Sequence, residues 1–278
     1  MTTPRSSQPS DGEQRLFSQL SFPELYEQAL VGPLFEPWVE TLLADVQLSS
    51  GDRVLDVACG TGIVARLAKK HLGPSATVVG VDANAAMLAV ARRVAPEVDW
   101  RQGDAAALPL RDEERFEVVL CQQGFQFFPD HTAAARQMHR ALVDGGRLGI
   151  STWCSDEEFP VLRELRRVAE QHVGPIRDRR HGLGDPEPVE AALREAGFHD
   201  VRSKRSVRSI RFSDGSTFVR LNAMALVSMG ASSAALDDQE RRRLVDAITR
   251  DSADLVQLHT DQGGFAYEIG TNVTLARG

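Results

Sequence analysis

Three cysteines in 278 residues are too few, and odd in number, for a disulfide framework; they fit a reducing cytoplasm. None sits at the C-x-x-C or Cys/His spacing of a zinc site, so no metal is expected. No apolar run approaches the roughly 20 residues that cross a bilayer, which argues against a membrane partner. The first residues lack an apolar core, which excludes a signal peptide, and Met1–Gly12 is rich in Thr, Ser, Pro and Gln. Residues 1–13 are therefore expected to be disordered. Positive charge is also short. A net charge of −7 and a pI near 5.6 disfavour a protein whose main work is coating nucleic acid. No internal repeat and no separate second domain are visible.

What is present is an alternation of short apolar runs and helical patterns from Gly51 to Thr152, which predicts a parallel α/β sheet. Strands are expected at Arg53–Val57, Thr77–Val81, Val98–Gln102, Phe116–Cys121 and Arg147–Thr152. Helices are expected at Gly62–Leu72, Ala85–Ala95 and Thr132–Val143. Val118-Val119-Leu120 has no polar alternation, as a strand covered on both faces requires. Before this core, the apolar spacing from Gln14 to Val46 predicts two amphipathic helices. After it, helices are expected at Glu158–His172, Glu187–Ala196, Ser216–Ser228 and Asp237–Leu258. A loop is expected at Gly174–Pro188, and strands at Val201–Phe212 and Phe265–Ala276.

The sharpest feature is Val54-Leu55-Asp56-Val57-Ala58-Cys59-Gly60-Thr61-Gly62. A strand ends in an acid, passes through a glycine turn and opens a helix, so a ligand can lie against bare backbone at free N–H groups. Gly60, Gly62 and Ala65 with Asp82 also satisfy the dinucleotide fingerprint. A pyrophosphate, however, would suffer beside Asp56, whereas a ligand with an ammonium and a sulfonium would gain from it. Downstream, Val78–Asp82 ends a second strand in an acid, followed by Asn84 and Met87. Gly103-Asp104-Ala105 follows a third, and Gln122-Gln123-Gly124-Phe125-Gln126-Phe127-Phe128 follows a fourth.

In this order and spacing, over roughly residues 45–155, the chain resembles the class I S-adenosylmethionine (SAM)-dependent methyltransferases. The tail from Leu193 to Val201 and the closing strand resemble the small-molecule branch near the ubiquinone/menaquinone enzymes. Ala58 and Cys59 depart from the small or glycine residues frequent there.

The resemblance implies a Rossmann-like fold with a seven-stranded, mostly parallel sheet. It also implies a helical N-terminal cap (14–46), a SAM-binding core (47–155), and lid helices, substrate-side insertions and closing strands (156–278). It implies cofactor contacts from Asp56, Ala58, Cys59, Gly60, Thr61, Gly62, Asp82, Ala83, Met87, Gly103, Asp104, Ala105, Cys121, Gln122 and Gln123. The acceptor, a small and largely apolar metabolite, is expected against Phe125, Phe127, Phe128, Trp153, Tyr26 and Trp38. Aligning donor and acceptor is most of the chemistry, so no catalytic residue is legible. His131, His172 and His181 are the candidate bases by position, while His139 is expected to be packed or on the surface.

The ends of strands one, four and five carry Cys59, Cys121 and Cys154, so the thiols are expected to converge, with SAM shielding Cys121 from alkylation. Two basic stretches, Arg177–Arg180 and Arg202–Arg211, suit a solvated face or an anionic ligand. A monomer or homodimer is expected. An RNA methyltransferase, a SAM-binding protein without transfer activity and a dinucleotide-dependent oxidoreductase are the alternatives.

Overall fold

The computed structural model describes residues 20–231 and 233–278. The expectation for residues 1–13, and the cap's first residues 14–19, lie outside the described residues.

The chain opens with α1 (Phe22–Leu25), runs without a break through a π-helical segment (Tyr26–Phe35) and continues as α2 (Glu36–Asp45). The two expected helices are thus one rod with a widened middle. Pro33 lies inside that middle, where a regular i→i−4 ladder would both lose a bond and clash with its ring. Then come β1 (Val54–Val57), α3 (Ile63–Leu72), β2 (Val78–Asp82), α4 (Ala85–Val94), β3 (Asp99–Gln102) and β4 (Phe116–Gln122). The core ends with α5 (His131–Ala141) and β5 (Leu142–Trp153). Beyond it lie α6 (Pro160–Val173), α7 (Glu187–Glu195), β6 (His199–Phe212), α8 (Gly215–Met229), α9 (Asp238–Asp251) and α10 (Ala253–Leu258). The two-residue β7 (Thr260–Asp261) and β8 (Gly264–Arg277) complete the described chain.

The sheet order is β3-β2-β1-β4-β5-β8-β6, with β7 pairing off the path onto β8. β3 through β5 run parallel, and β8 and β6 add antiparallel. Val118, Val119 and Leu120 are fully buried in the centre, as their unbroken apolar run requires. α2, α3 and α4 cover one face and α5 and α7 the other. A third apolar cluster joins the opening rod, α6, α8 and the far ends of β6 and β8.

Most expected boundaries move by a residue or two, and three expectations change more. The third core helix stops at Ala141 rather than Val143, because β5 already pairs at Leu142; Val143–Gly146 bulge out before pairing resumes at Arg147. The long helix expected over Asp237–Leu258 breaks at Ser252, whose hydroxyl bonds back to the Ile248 carbonyl (2.8 Å). The Gly174–Pro188 loop contains a 3₁₀ turn at Arg179–His181.

The chain leaves β1 toward β2 and returns to β4 on its other side. Strand order therefore reverses at β1, and a crevice opens above the carboxyl ends of β1 and β4.

Candidate active site

A cavity of about 740 Å³ fills that crevice. Its floor is the turn after β1, where Ala58 (φ 58°) and Gly60 (φ 56°) are left-handed and Gly62 (φ 91°) caps α3. The Asp82 carboxylate clamps this turn to the start of α4, accepting from the Gly60 N–H (2.8 Å) and the Asn84 N–H (2.7 Å). Asn84 in turn caps α4 through the N–H groups of Ala86 and Met87. Asp104 accepts from the Ala106 N–H (2.8 Å), which leaves its second oxygen for another donor.

Asp56 is completely buried. Its Oδ2 accepts from the Ala65 N–H (3.1 Å), while Oδ1 has no partner among the described residues. Burial drives this carboxyl well above the usual range; the Ala65 N–H opposes that and the Asp82 charge adds to it. Three glutamines repeat the pattern. Gln122 donates to the Phe35 carbonyl (3.2 Å), Gln123 to the Thr271 hydroxyl (3.0 Å) and Gln126 to the Gln123 carbonyl (3.0 Å). Each keeps a buried Oε1 without a partner among the described residues, and all three line the cavity with Asp56. Four orphaned acceptors around one cavity call for a ligand that brings donors.

Tyr26 stands close enough to Asp56 and Asp82 to feel both charges, and the end of the cavity formed by α6, α8 and β8 is lined by Leu162, Leu221, Met229, Tyr267 and Ile269. Burial holds both tyrosine hydroxyls well above their ordinary pKa. The Arg179–His181 turn crosses this end. Arg179 donates to the Phe127 carbonyl (2.9 Å) and lies over the Phe127 ring (6.0 Å). Arg180 grips Asp178 through Nε and Nη2 and reaches the Asn222 Oδ1 on α8 (2.8 Å). His181 Nδ1 lies 2.7 Å from the Cys154 carbonyl.

The family description "methyltransferase domain" matches residues 54–146, the stretch that builds the floor. The 2-phytyl-1,4-naphtoquinone methyltransferase of Thermosynechococcus vestitus is 30% identical over 208 residues, spanning 68% of this chain and 91% of that one. The chain belongs to the class I SAM-dependent methyltransferases. A ubiquinone/menaquinone biosynthesis C-methyltransferase, UbiE, of Xylella fastidiosa is 40% identical over 181 residues, 58% of this chain and 71% of its own. The crystal structure of the YcgJ protein from Bacillus subtilis superposes with a TM-score of 0.54 at 18% identity, covering 86% of this methyltransferase and 97% of that chain. At that identity the likeness shows the fold.

Most residues singled out by sequence line the methyltransferase's cavity: Asp56, Ala58, Cys59, Gly60, Asp82, Ala83, Met87, Gly103, Asp104, Ala105, Gln122, Gln123, Tyr26, Phe127, Phe128, Trp153 and His181. Others stand behind the wall. Gly62 faces the Trp100 ring, where a Cβ would sit 2.2 Å away, so packing and its φ explain that glycine rather than ligand contact. Thr61 is buried beside it. Phe125 is fully buried, stacked on His131 (5.1 Å) beneath the floor; the tight turn that points Phe127 outward turns Phe125 in. Trp38 packs edge-on to Trp153 (6.1 Å) beneath Arg208 and does not reach the cavity. His131 is held off the cavity by that stack. His172 pairs with Asp251 (2.9 Å), joining α6 to α9.

The thiols do not converge on the cavity. β1, β4 and β5 are neighbours, as expected, but side chains alternate along a strand: Gln122 faces the cavity, so Cys121 points away, under Gly124. Cys154 packs against Gly270 and Asn272. Only Cys59 reaches the wall, so an alkylation-shielding experiment belongs there and not at Cys121. A further constraint couples Ala58 to Gly124: a Cβ on Gly124 would lie 2.4 Å from the Ala58 methyl.

The basic stretch on β6 is spent on neighbours. Lys204 pairs with Asp45, Arg205 with Glu158 and Arg211 with Asp261, and Arg208 lies over Trp38. Sequence reasoning missed Asn222, Tyr267, Met229 and Ile269, which reach the cavity from α8 and β8 without any local motif. It read Arg179 and Arg180 only as part of a charged stretch.

Proposed function

We propose that this methyltransferase transfers a methyl group from SAM to O, N or C of a small, largely apolar acceptor held under the lid. One observation carries this: buried acceptor oxygens in want of donors line the same cavity as a set of apolar and aromatic side chains. When bound, the cofactor supplies an electrophilic methyl on a sulfonium. Asp56, Gln122 and Gln123 would take its ammonium, which fits their unpartnered oxygens and relieves the carboxylate's burial. Asp82 would accept from ribose hydroxyls on the lone pairs that Gly60 and Asn84 leave free, and Asp104 from the adenine amino group. Met87 and Ala105 would flank the base.

Tyr26, Phe127, Phe128 and Trp153 would hold the acceptor, with the residue 20–46 rod and residues 156–278 closing over it and excluding water. The names of the relatives point to a quinone-type ring with an apolar tail; an electrophilic methyl needs an electron-rich acceptor, so the hydroquinone is the form to supply. The pairing of Lys204, Arg205 and Arg211 with carboxylates supports a small-molecule acceptor over RNA.

Calorimetric titration with SAM and S-adenosylhomocysteine, with NADH as control, tests the reading. Micromolar binding of the two sulfur ligands alone is expected. Transfer of labelled methyl to an alkylated 1,4-naphthohydroquinone is the second step. Failure of both sulfur ligands to bind would overturn the proposal.

A further inference from the structure

We propose that His181 is the proton acceptor of the transfer, taking its proton from a hydroxyl or N–H of the bound acceptor. The inference rests on the methyltransferase reading above. A carbonyl oxygen can only accept, so the 2.7 Å contact to Cys154 places the ring proton on Nδ1. Nε2 is left with its lone pair, on a ring that lines the cavity beside Arg180 and Asn222.

The surroundings keep that tautomer ready. Arg180 stands next in the turn, tied to Asp178 (2.6 Å) and Asn222 (2.8 Å). Asp156, at the start of the turn after β5, is engaged by Arg166 (2.6 Å), and Arg179 is engaged by the Phe127 carbonyl. Burial first, then the Arg180 charge, hold the imidazole below its ordinary pKa; Asp178 and Asp156 pull the other way and do not prevail. The ring is therefore neutral before reaction, and both carboxylates stand by when it becomes charged. Gln126 adds a second demand, since its buried Oε1 also lacks a donor. An acceptor bearing hydroxyls satisfies both.

In the step, the acceptor's O–H or N–H bond breaks and its proton passes to Nε2, giving an imidazolium. The freed electron pair, on that atom or conjugated onto a ring carbon, bonds to the methyl carbon. The methyl–sulfur bond breaks and leaves its pair on sulfur, which ends neutral.

Nitrogen-15 NMR of the protein bound to S-adenosylhomocysteine, with His181→Gln for assignment, tests this without turnover. A neutral Nδ1–H ring at pH 7 is expected. An imidazolium, or an Nε2–H tautomer, would overturn the proposal. In the naphthohydroquinone assay His181→Gln should lose about 10²–10⁴-fold in kcat. It should also lose the acidic limb of the pH profile, with S-adenosylhomocysteine affinity unchanged. A variant that keeps the parent rate and profile sinks the assignment. Absence of S-adenosylhomocysteine binding by the parent protein would strike the cofactor reading instead.

Discussion

Asp56, Gly60 and Asp82 hold one end of the cavity through backbone geometry at the ends of two adjacent strands. Arg180, His181, Asn222 and Tyr267 hold the other through side chains that meet from a turn, a helix and the closing strand. The first arrangement needs fixed residue types at fixed spacing, because a left-handed turn and a strand-end acid allow few substitutes. The second needs only that distant segments arrive together. The floor is therefore expected to be intolerant to change, and under the proposed function the choice of acceptor falls to the more adaptable roof.

Breaking the floor should have the largest effect. Gly62→Ala adds a Cβ 2.2 Å from the Trp100 ring at a φ of 91°, so a loss of about 2–5 kcal/mol is expected in urea unfolding, with loss of cofactor binding. Pairing it with Trp100→Leu should recover the crowding component but not the backbone strain. If Gly62→Ala were as stable as its parent, the packing account of that glycine would fail.

A smaller effect, and one of mixed sign, is expected at Asp56. Its folded pKa lies above its unfolded one, so the native state keeps a proton that the unfolded chain has released. Stability should therefore fall as pH rises from the ordinary carboxylate range, about 3.9, through the raised value. Asp56→Asn should flatten that slope and stabilise the free protein by roughly 1 kcal/mol near neutral pH. It should also weaken SAM binding about 100-fold, through loss of a charge-assisted contact. Chemical denaturation across pH and calorimetry measure the two halves, and a variant that loses stability would contradict the first.

The roof should respond least, and differently. Arg180→Met removes the bridge from Asp178 to Asn222 while leaving the floor intact. The expected outcome is unchanged S-adenosylhomocysteine affinity with roughly a tenfold lower kcat/KM for the acceptor. Equal loss of cofactor binding would mean that the two ends are not separable.

The same contrast decides what could be read from the chain beforehand. The five core strands, the glycine turn and the three strand-end acids were legible because apolar periodicity and turn chemistry are local. Cys121 lies within β4, on the face opposite Gln122, and Phe125 lies in the turn past it; nearness to a strand end does not disclose which face a residue presents. Trp38 was misplaced because helical spacing marks it as apolar without saying what lies between it and the cavity. Asn222 and Tyr267 carried no signal at all; each matters only through what it meets. His181 could be nominated by sequence, but its tautomer is set by the Cys154 carbonyl, 27 residues earlier in the chain.

The contact between Ala58 and Gly124 gives the floor a history as well as a shape. With a methyl at 58, alanine at 124 is barred, because the two carbons would stand 2.4 Å apart. With glycine at 58 the same change meets only the Cys121 Sγ, at 3.2 Å, a tight contact rather than a clash, and the left-handed backbone there is relieved too. The two positions can thus exchange their methyl group in one order only: residue 58 must shed it before residue 124 gains it. A lineage that attempts the steps in reverse passes through a disrupted turn, so the present pair narrows the routes along which this turn can evolve.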